Sequence, residues 1–163
     1  MKKIYIGKSK IAGRGMCAGE DIKRGELIAL LRGPVRHLHI KTKRDARIGP
    51  TWIGISARRW IDPMWPFNRI NHSCDANSGF QGSVRCRALR TIRKGEEITL
   101  DYSTTESSPL WTIRCSCKAK RCRKVIRSIQ FLSYDVFKSY LPYIPTYFQK
   151  IYRRSRKNKH GTR

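Results

Sequence analysis

The 163-residue chain is poor in acid: eleven Asp and Glu stand against 36 Lys and Arg, a formal net charge of +25. That imbalance rules out a surface of mutually neutralising charges, and a body this cationic gathers polyanions, nucleic acid or acidic lipid. Removing Arg153 to Arg163 takes away six cations and still leaves +19. Long hydrophobic runs are missing as well. The longest, Leu27 to Leu31, is far short of the roughly 20 residues that span a bilayer. Met1-Lys2-Lys3 has the charge of a secretory leader, but Ile4-Tyr5-Ile6 runs straight into Gly7 and more charge, so no apolar segment follows. The expectation is a cytoplasmic chain with no cleaved export signal and no membrane contact.

A disulfide framework is the next thing excluded. Six cysteines in a chain without a leader argue for reduced thiols or metal ligands. Cys115, Cys117 and Cys122 stand in "CSCKAKRC", too close together to bridge easily, and a metal explains such crowding better. Tetrahedral structural zinc takes four soft ligands, so one more is needed. Cys17, in a Met-Cys-Ala run, and Cys86, on the apolar side of an alternating strand, read as ordinary buried thiols. Cys74 follows a polar turn and suits a loop ligand. The expected set is Cys74, Cys115, Cys117 and Cys122, with Lys118, Lys120, Arg121 and Arg123 favouring the thiolates.

Strand signals fill the first hundred residues. "KIYI" (3–6), "ELIALL" (26–31) and "TWIGI" (51–55) are short apolar runs bounded by Gly, Pro or charge. In "SVRCRAL", Val84, Cys86 and Ala88 alternate with Arg85 and Arg87, and "EITLDY" resumes a strand after a turn at Lys94-Gly95-Glu96. Punctuation about every ten residues indicates small twisted sheets. "DPMWPFN" holds two prolines and cannot be a long regular element; Trp65 and Phe67 are expected in the core or a channel wall. From Ser133 helical spacing takes over, with Val136, Phe137, Tyr140 and Leu141 on one face. Pro142 and Pro145 interrupt it, and Phe148, Ile151 and Tyr152 resume it, as two short helices. Residues 153–163 are polar and basic, and disorder is expected there.

These motifs, in order, carry a resemblance. "NHSCDAN", then "GEEITLDY", then C-x-C-x4-C resembles the SET-domain protein-lysine methyltransferases with their post-SET zinc segment. "SKIAGRGMCAGEDIKRGELI" looks like that family's first motif, and "FLSYDVFKSYLPYIPTYFQKIY" resembles the helical extension of its small bacterial members. The resemblance implies a mainly β fold of small curved sheets with a pseudoknot. It divides the chain into a SET domain (1–105), a post-SET zinc segment (106–125), a helical extension (126–152) and the tail (153–163).

It also implies S-adenosylmethionine as cofactor. Gly13, Arg14 and Gly15 then present backbone to its methionine end, and Asn71 offers its side-chain amide to the amino-acid portion. His72 offers backbone atoms toward adenine rather than acting as a base, and Trp111 covers the adenine face. Tyr102 matches the active-site tyrosine that orients the substrate amine. Leu100 stands where the family commonly has Phe or Tyr, which leaves room for di- or trimethylation. Asn68 and Arg69 displace the usual arginine ahead of "NHS".

The implied partner is a lysine-containing protein. A body at +25 repels a lysine-rich tail, so the acids near the motifs (Asp75, Glu96, Glu97, Asp101 and Glu106) are expected to form a local acidic patch, while the basic body holds DNA or RNA. The substrate class that follows is a basic, nucleic-acid-associated protein. A nucleoid location fits this, and "RRSRKNK" also reads as a localisation-like run for export to a host nucleus. The rival reading is a zinc-containing nucleic-acid binder without activity. It accounts for charge and cysteines but not for Gly15, Asn71 and Tyr102.

Overall fold

In the computed structural model, which describes residues 1–47 and 51–160, short strands dominate. β1 (Ile4–Lys8) and β2 (Arg14–Ala18) form an antiparallel hairpin whose turn contains Gly13 at φ +51, a left-handed conformation that glycine adopts without a Cβ penalty. β3 (Leu27–Leu30) is followed by β4 (Val35–His37), β5 (Ile53–Ser56) and β6 (Arg59–Ile61), and these last three make one sheet in the order β4-β6-β5. β7 (Asn71–His72), β8 (Ser78–Gln81), β9 (Arg85–Ala88) and β10 (Thr99–Leu100) join β3 in the order β3-β9-β8-β10-β7. β11 (Thr112–Arg114) and β12 (Val125–Arg127) pair alone. No helix is long and apolar enough to cross a membrane among the described residues.

One feature of topology positions everything else. β10 runs parallel to both β7 and β8, with Leu100 opposite His72 on one side and Ser78 on the other. Two motifs almost thirty residues apart in sequence are therefore laid edge to edge. The "EITLDY" strand keeps only two of its residues in the ladder. At its end Asp101 accepts from the Ser103 N–H at 3.0 Å and turns the chain into a 3-10 helix over Tyr102–Thr105.

The alternation in "SVRCRAL" is realised: Cys86 and Ala88 are fully buried, Arg85 is exposed and Arg87 half-buried. Met16, Ile22, Ile28, Phe80, Ile92, Ile98 and Leu100 join them in the main core. Each large apolar side chain removed from water stabilises the fold by about 1.5–3 kcal/mol.

The helical pattern from Ser133 resolves as α1 (Tyr134–Ser139) and α2 (Thr146–His160), with Phe137 stacked on Tyr152 at 3.8 Å. Phe137, Tyr140, Ile144, Phe148 and Tyr152 form a second core with Ile129 and Leu132. Two expectations change here. The tail read as disordered from residue 153 continues α2 to His160; Tyr152 docks it and Arg156 donates to the Leu132 carbonyl, so the helix is held to the body; residues 161–163 lie outside the described residues. Trp65 is 63% exposed, because Pro63 and Pro66 are both buried and lift Met64-Trp65 outward as the apex of a turn. Phe67, by contrast, is buried as expected.

Candidate active site and metal centre

A cavity of about 280 Å³ opens where the β1–β2 turn, the β4–β6 sheet, β7 and the segment after β10 meet. Gly13, Arg14, Asn71, Tyr102 and Trp111 all line it, so five of the expected site residues face one space. Apolar walls come from Leu38, Ile53, Trp60, Phe67 and Ile70, and the ionisable side chains on the wall are Arg14, Arg69, Glu106 and Tyr102.

Tyr102 packs against the main core, and its hydroxyl donates to the Ile70 carbonyl at 2.7 Å. That bond places the phenol oxygen beside the residue preceding Asn71. Burial, reinforced by the Glu97 carboxylate, pushes the phenol up to about 12, so the ring stays neutral. With its one proton committed to Ile70, the oxygen keeps lone pairs to offer the cavity.

The Asn71 amide nitrogen is ringed by acceptors. Glu97 Oε1 lies at 2.7 Å, Ser9 Oγ at 3.0 Å, the Ala12 carbonyl at 3.1 Å and the Arg14 carbonyl at 3.3 Å. Ser9 in turn donates to the same carboxylate at 2.8 Å. All of these lie on the nitrogen's side, which fixes the amide orientation and sends its oxygen the other way. Gly15 supports this arrangement directly, since a Cβ there would collide with the Glu97 carboxylate. Gly15 does not line the cavity itself. Its contribution is to let Glu97 come close.

His72 is 6% exposed. Burial, only partly offset by Asp101, lowers its pKa to about 4, so the imidazole is neutral. Its Nδ1 accepts the Tyr102 N–H at 3.2 Å, and Nε2 faces Cys74 Sγ at 3.3 Å.

Nearby, the ligand atoms of His72, Cys74, Cys115 and Cys117 lie within 4.8 Å of one another, a grouping that can hold a metal ion. Cys74 and Cys115 sulfurs are 3.7 Å apart, far beyond a disulfide and close to the ~3.8 Å edge of a tetrahedron with ~2.3 Å zinc–sulfur arms. Backbone N–H groups aim at the sulfurs: Cys74 to Cys117 at 3.4 Å, Arg123 to Cys74 at 3.3 Å, Cys117 to Cys115 at 3.5 Å. Burial disfavours the Cys117 thiolate, but the N–H groups of Cys74 and Ala119, together with the Cys115 and Cys122 thiols, outweigh it and bring that thiol down to about 7. Cys122 falls outside the mutually close four; its thiol still neighbours Cys115 and Cys117, and it accepts the Lys124 N–H at 3.4 Å. Cys17 and Cys86 are buried and free, away from this centre.

Several roles here escaped the sequence reading, which named Arg123 only as favouring the thiolates and Glu97 only as part of an acidic patch. Arg123 donates to both oxygens of Asp101 at 2.7 Å, to Ser103 at 3.3 Å and to Cys74 Sγ at 3.4 Å, tying the cysteine loop to the turn that carries Tyr102. The one signal for it was its place directly after Cys122. Ser9 and Glu97 had only their nearness to the glycine turn and to "LDY".

The acidic patch is not formed. Asp101 is buried on Arg123, Glu96 pairs with Arg90, Glu97 is bound by Ser9 and Asn71, and Glu106 is 7% exposed and accepts from the Ser107 and Ser108 N–H groups at 2.7 Å. Asp75 alone of the five is exposed. The acids are used as internal acceptors, which leaves the cations outside. Leu100 is wholly buried in the main core and does not line the cavity, so the room expected from it is not in the cavity wall.

Comparisons with known proteins agree with this geometry. The SET domain family model matches residues 13–103. The chain is 32% identical over 141 residues to the histone-lysine N-methyltransferase trithorax of Drosophila virilis, covering 76% of this chain and 4% of that protein. It is 31% identical over 138 residues to histone-lysine N-methyltransferase 2B of Homo sapiens, covering 76% of this chain and 5% of that one. The chain thus spans about a twentieth of the length of these relatives. Among solved structures, KRYPTONITE in complex with mCHG DNA and SAH superposes with a TM-score of 0.60 at 23% identity, over 77% of this chain and 29% of that one. The Chaetomium thermophilum Polycomb Repressive Complex 2 bound to GSK126 gives 0.53 at 22% identity, over 64% and 16%.

Proposed function

The chain belongs to the SET-domain family, and from that membership and the cavity described above we propose that it is an S-adenosylmethionine-dependent protein-lysine N-methyltransferase. The observation that carries this reading is the Tyr102 hydroxyl held on the Ile70 carbonyl, one residue from Asn71, on the wall of a cavity that both side chains share. Relatives named as histone-lysine N-methyltransferases support it.

S-adenosylmethionine supplies a methyl group on a sulfonium, which is already reactive. The protein therefore has to position, desolvate and keep an amine neutral. Gly13 and Arg14 offer backbone at the turn, and Asn71, whose amide nitrogen is engaged, has its amide oxygen left to accept from an ammonium. A lysine side chain has a pKa near about 10.4 in water. The apolar walls and the like charge of Arg14 and Arg69 disfavour its ammonium form, and burial, which raises the Glu106 pKa, weakens the one carboxylate on the wall that would favour it, so the proton leaves to water before the amine is seated. Tyr102 then accepts a hydrogen bond from the amine. With its phenol near 12 it orients the nitrogen and does not serve as the base. Trp111, 8% exposed, closes the cavity on the cysteine side and is placed to cover a purine.

For structural zinc the proposed ligands are Cys74, Cys115 and Cys117, which the fold groups, and Cys122, whose thiol neighbours Cys115 and Cys117. His72 lies against the same centre, its Nε2 3.3 Å from Cys74 Sγ, and in this reading it supports that thiolate. A zinc there would fix the loop that ends in Arg123 and, through Asp101, the turn of Tyr102.

The proposed substrate is a basic protein held on nucleic acid. With no acidic patch to attract a lysine-rich tail, a polyanion that binds both partners removes the repulsion between them. The proposed compartment is the cytoplasm, where six free thiols stay reduced. Incubation with methyl-labelled S-adenosylmethionine and a nucleoprotein extract, followed by peptide mapping, should place label on lysine side chains. Absence of label at stoichiometric enzyme, or label on other residue types only, rejects the reading.

A further inference from the structure

We propose that the outer face of α2 is a binding surface for duplex DNA, laid along the phosphate backbone. This deepens the nucleic-acid part of the reading above, but it does not rest on methyl transfer. Fifteen residues, TYFQKIYRRSRKNKH, form the helix without a single Asp or Glu. Lys150, Arg153, Arg154 and Lys157 are all exposed and recur at i, i+3, i+4 and i+7, so they make one stripe. At 100° per residue the stripe is centred roughly opposite Phe148 and Tyr152, the two side chains that dock the helix.

The stripe is free to meet a partner because nine of the protein's eleven acids are occupied elsewhere, and the exposed Asp75 and Asp135 form no ion pair with it. Glu20, Asp21, Glu26, Asp45, Asp62, Glu96, Glu97, Asp101 and Glu106 each accept a hydrogen bond or ion pair from other parts of the fold. Among the described residues no ion pair involves α2. Arg153 reaches only Gln149, at 3.2 Å. Four cations along about 10 Å of helix axis face a duplex that carries one charge per about 1.7 Å, so each cation has a phosphate within reach.

An anionic membrane is the other polyanion a basic helix can meet, but such helices bind by inserting an apolar face. The apolar face of α2 is spent on the protein: Tyr152 stacks on Phe137, and Phe148 is 1% exposed beside Gly54 of β5. That inward face abuts β5, whose Ile53 lines the cavity, so the stripe faces away from the cavity wall.

The test is fluorescence anisotropy of a labelled 20-base-pair duplex with the full chain, repeated over a salt series. Three variants are compared: Lys150→Gln/Arg153→Gln/Arg154→Gln/Lys157→Gln, an all-lysine stripe (Arg153→Lys/Arg154→Lys), and a control that removes four exposed cations elsewhere (Lys23→Gln/Arg24→Gln/Arg85→Gln/Lys94→Gln). Neutralising the stripe should weaken binding at least tenfold and flatten the slope of log K against log salt by about 3 to 4, at about 0.9 per phosphate contact. The all-lysine stripe should bind like the parent, and the control should lose less than threefold. Equal losses in stripe and control variants overturn the proposal, as does tighter binding to anionic phospholipid vesicles or to an RNA hairpin than to the duplex. Circular dichroism showing unchanged folding of each variant separates lost contacts from lost structure, and no readout depends on cofactor or activity.

Discussion

Two walls flank the β7–β10 pair, and they are built from different chemistry. On the hairpin side, Asn71, Ser9, Glu97 and the Ala12 and Arg14 carbonyls close a hydrogen-bonded ring over a strand pairing that the chain makes unaided. On the cysteine side, among the described residues, Ala46, Trp111 and Ile126 form a small buried cluster, and the segment is tied in by the grouped cysteines and the Arg123–Asp101 pair. A wall with so small an apolar core cannot offset the entropy of ordering its loop without another bond. The difference teaches that the cofactor-facing wall should stand by itself, whereas the wall carrying Trp111 and steadying Tyr102 should depend on metal.

The largest effect expected from this contrast lies where the walls meet. Tyr102→Phe should lower methyl transfer by about a thousandfold or more, roughly 4 kcal/mol of barrier, while cofactor affinity shifts less than threefold. Equal losses in turnover and affinity would make Tyr102 a packing residue only.

Next is the cysteine wall alone. Stripping the metal with a chelator, or replacing Cys117 by Ser, should expose Trp111 to quencher and abolish transfer while amide protection persists in β1 and β2. Uniform loss of protection in both walls would break the comparison. Arg123→Ala should cost about 3–5 kcal/mol in denaturant unfolding, since it leaves the buried Asp101 carboxylate unpaired; Asp101→Asn in the same background should recover part of that.

The hairpin wall has its own probe. Gly15→Ala drives a methyl into Glu97, loosens the ring around Asn71 and should weaken cofactor binding about tenfold, with metal content unchanged. The smallest effect is spectroscopic. The folded Tyr102 phenol ionises near 12, above its ordinary 10, so it contributes a loss of stability that begins as pH rises past about 10. An ultraviolet pH titration of the parent minus Tyr102→Phe should therefore show no ionisation below pH 11.

Much of the site was legible because the family motifs are contiguous: Asn71 to Cys74 sit in four consecutive residues, and Tyr102 closes "LDY". The strand alternation around Cys86 was legible for the same local reason. What the sequence hid was long-range. Nothing near Glu97 announces that its carboxylate will lie against Gly15 and Asn71, and the acids near the motifs looked like a surface patch because burial of Asp101 depends on an arginine 22 residues later. The helical tail misled in the opposite way, since charge argued for disorder while Tyr152, one residue before the tail, and Arg156 within it hold the helix to the body.

The central claim is that Asn71 and Tyr102 serve one pocket, with a sulfonium donor bound on the hairpin side. Titration calorimetry of S-adenosylmethionine into the metal-loaded chain measures this most directly. The expected result is one site with a micromolar dissociation constant, about −8 kcal/mol, lost in Asn71→Ala and kept in Tyr102→Phe. No heat of binding to the folded parent, or binding that survives Asn71→Ala unchanged, would contradict it.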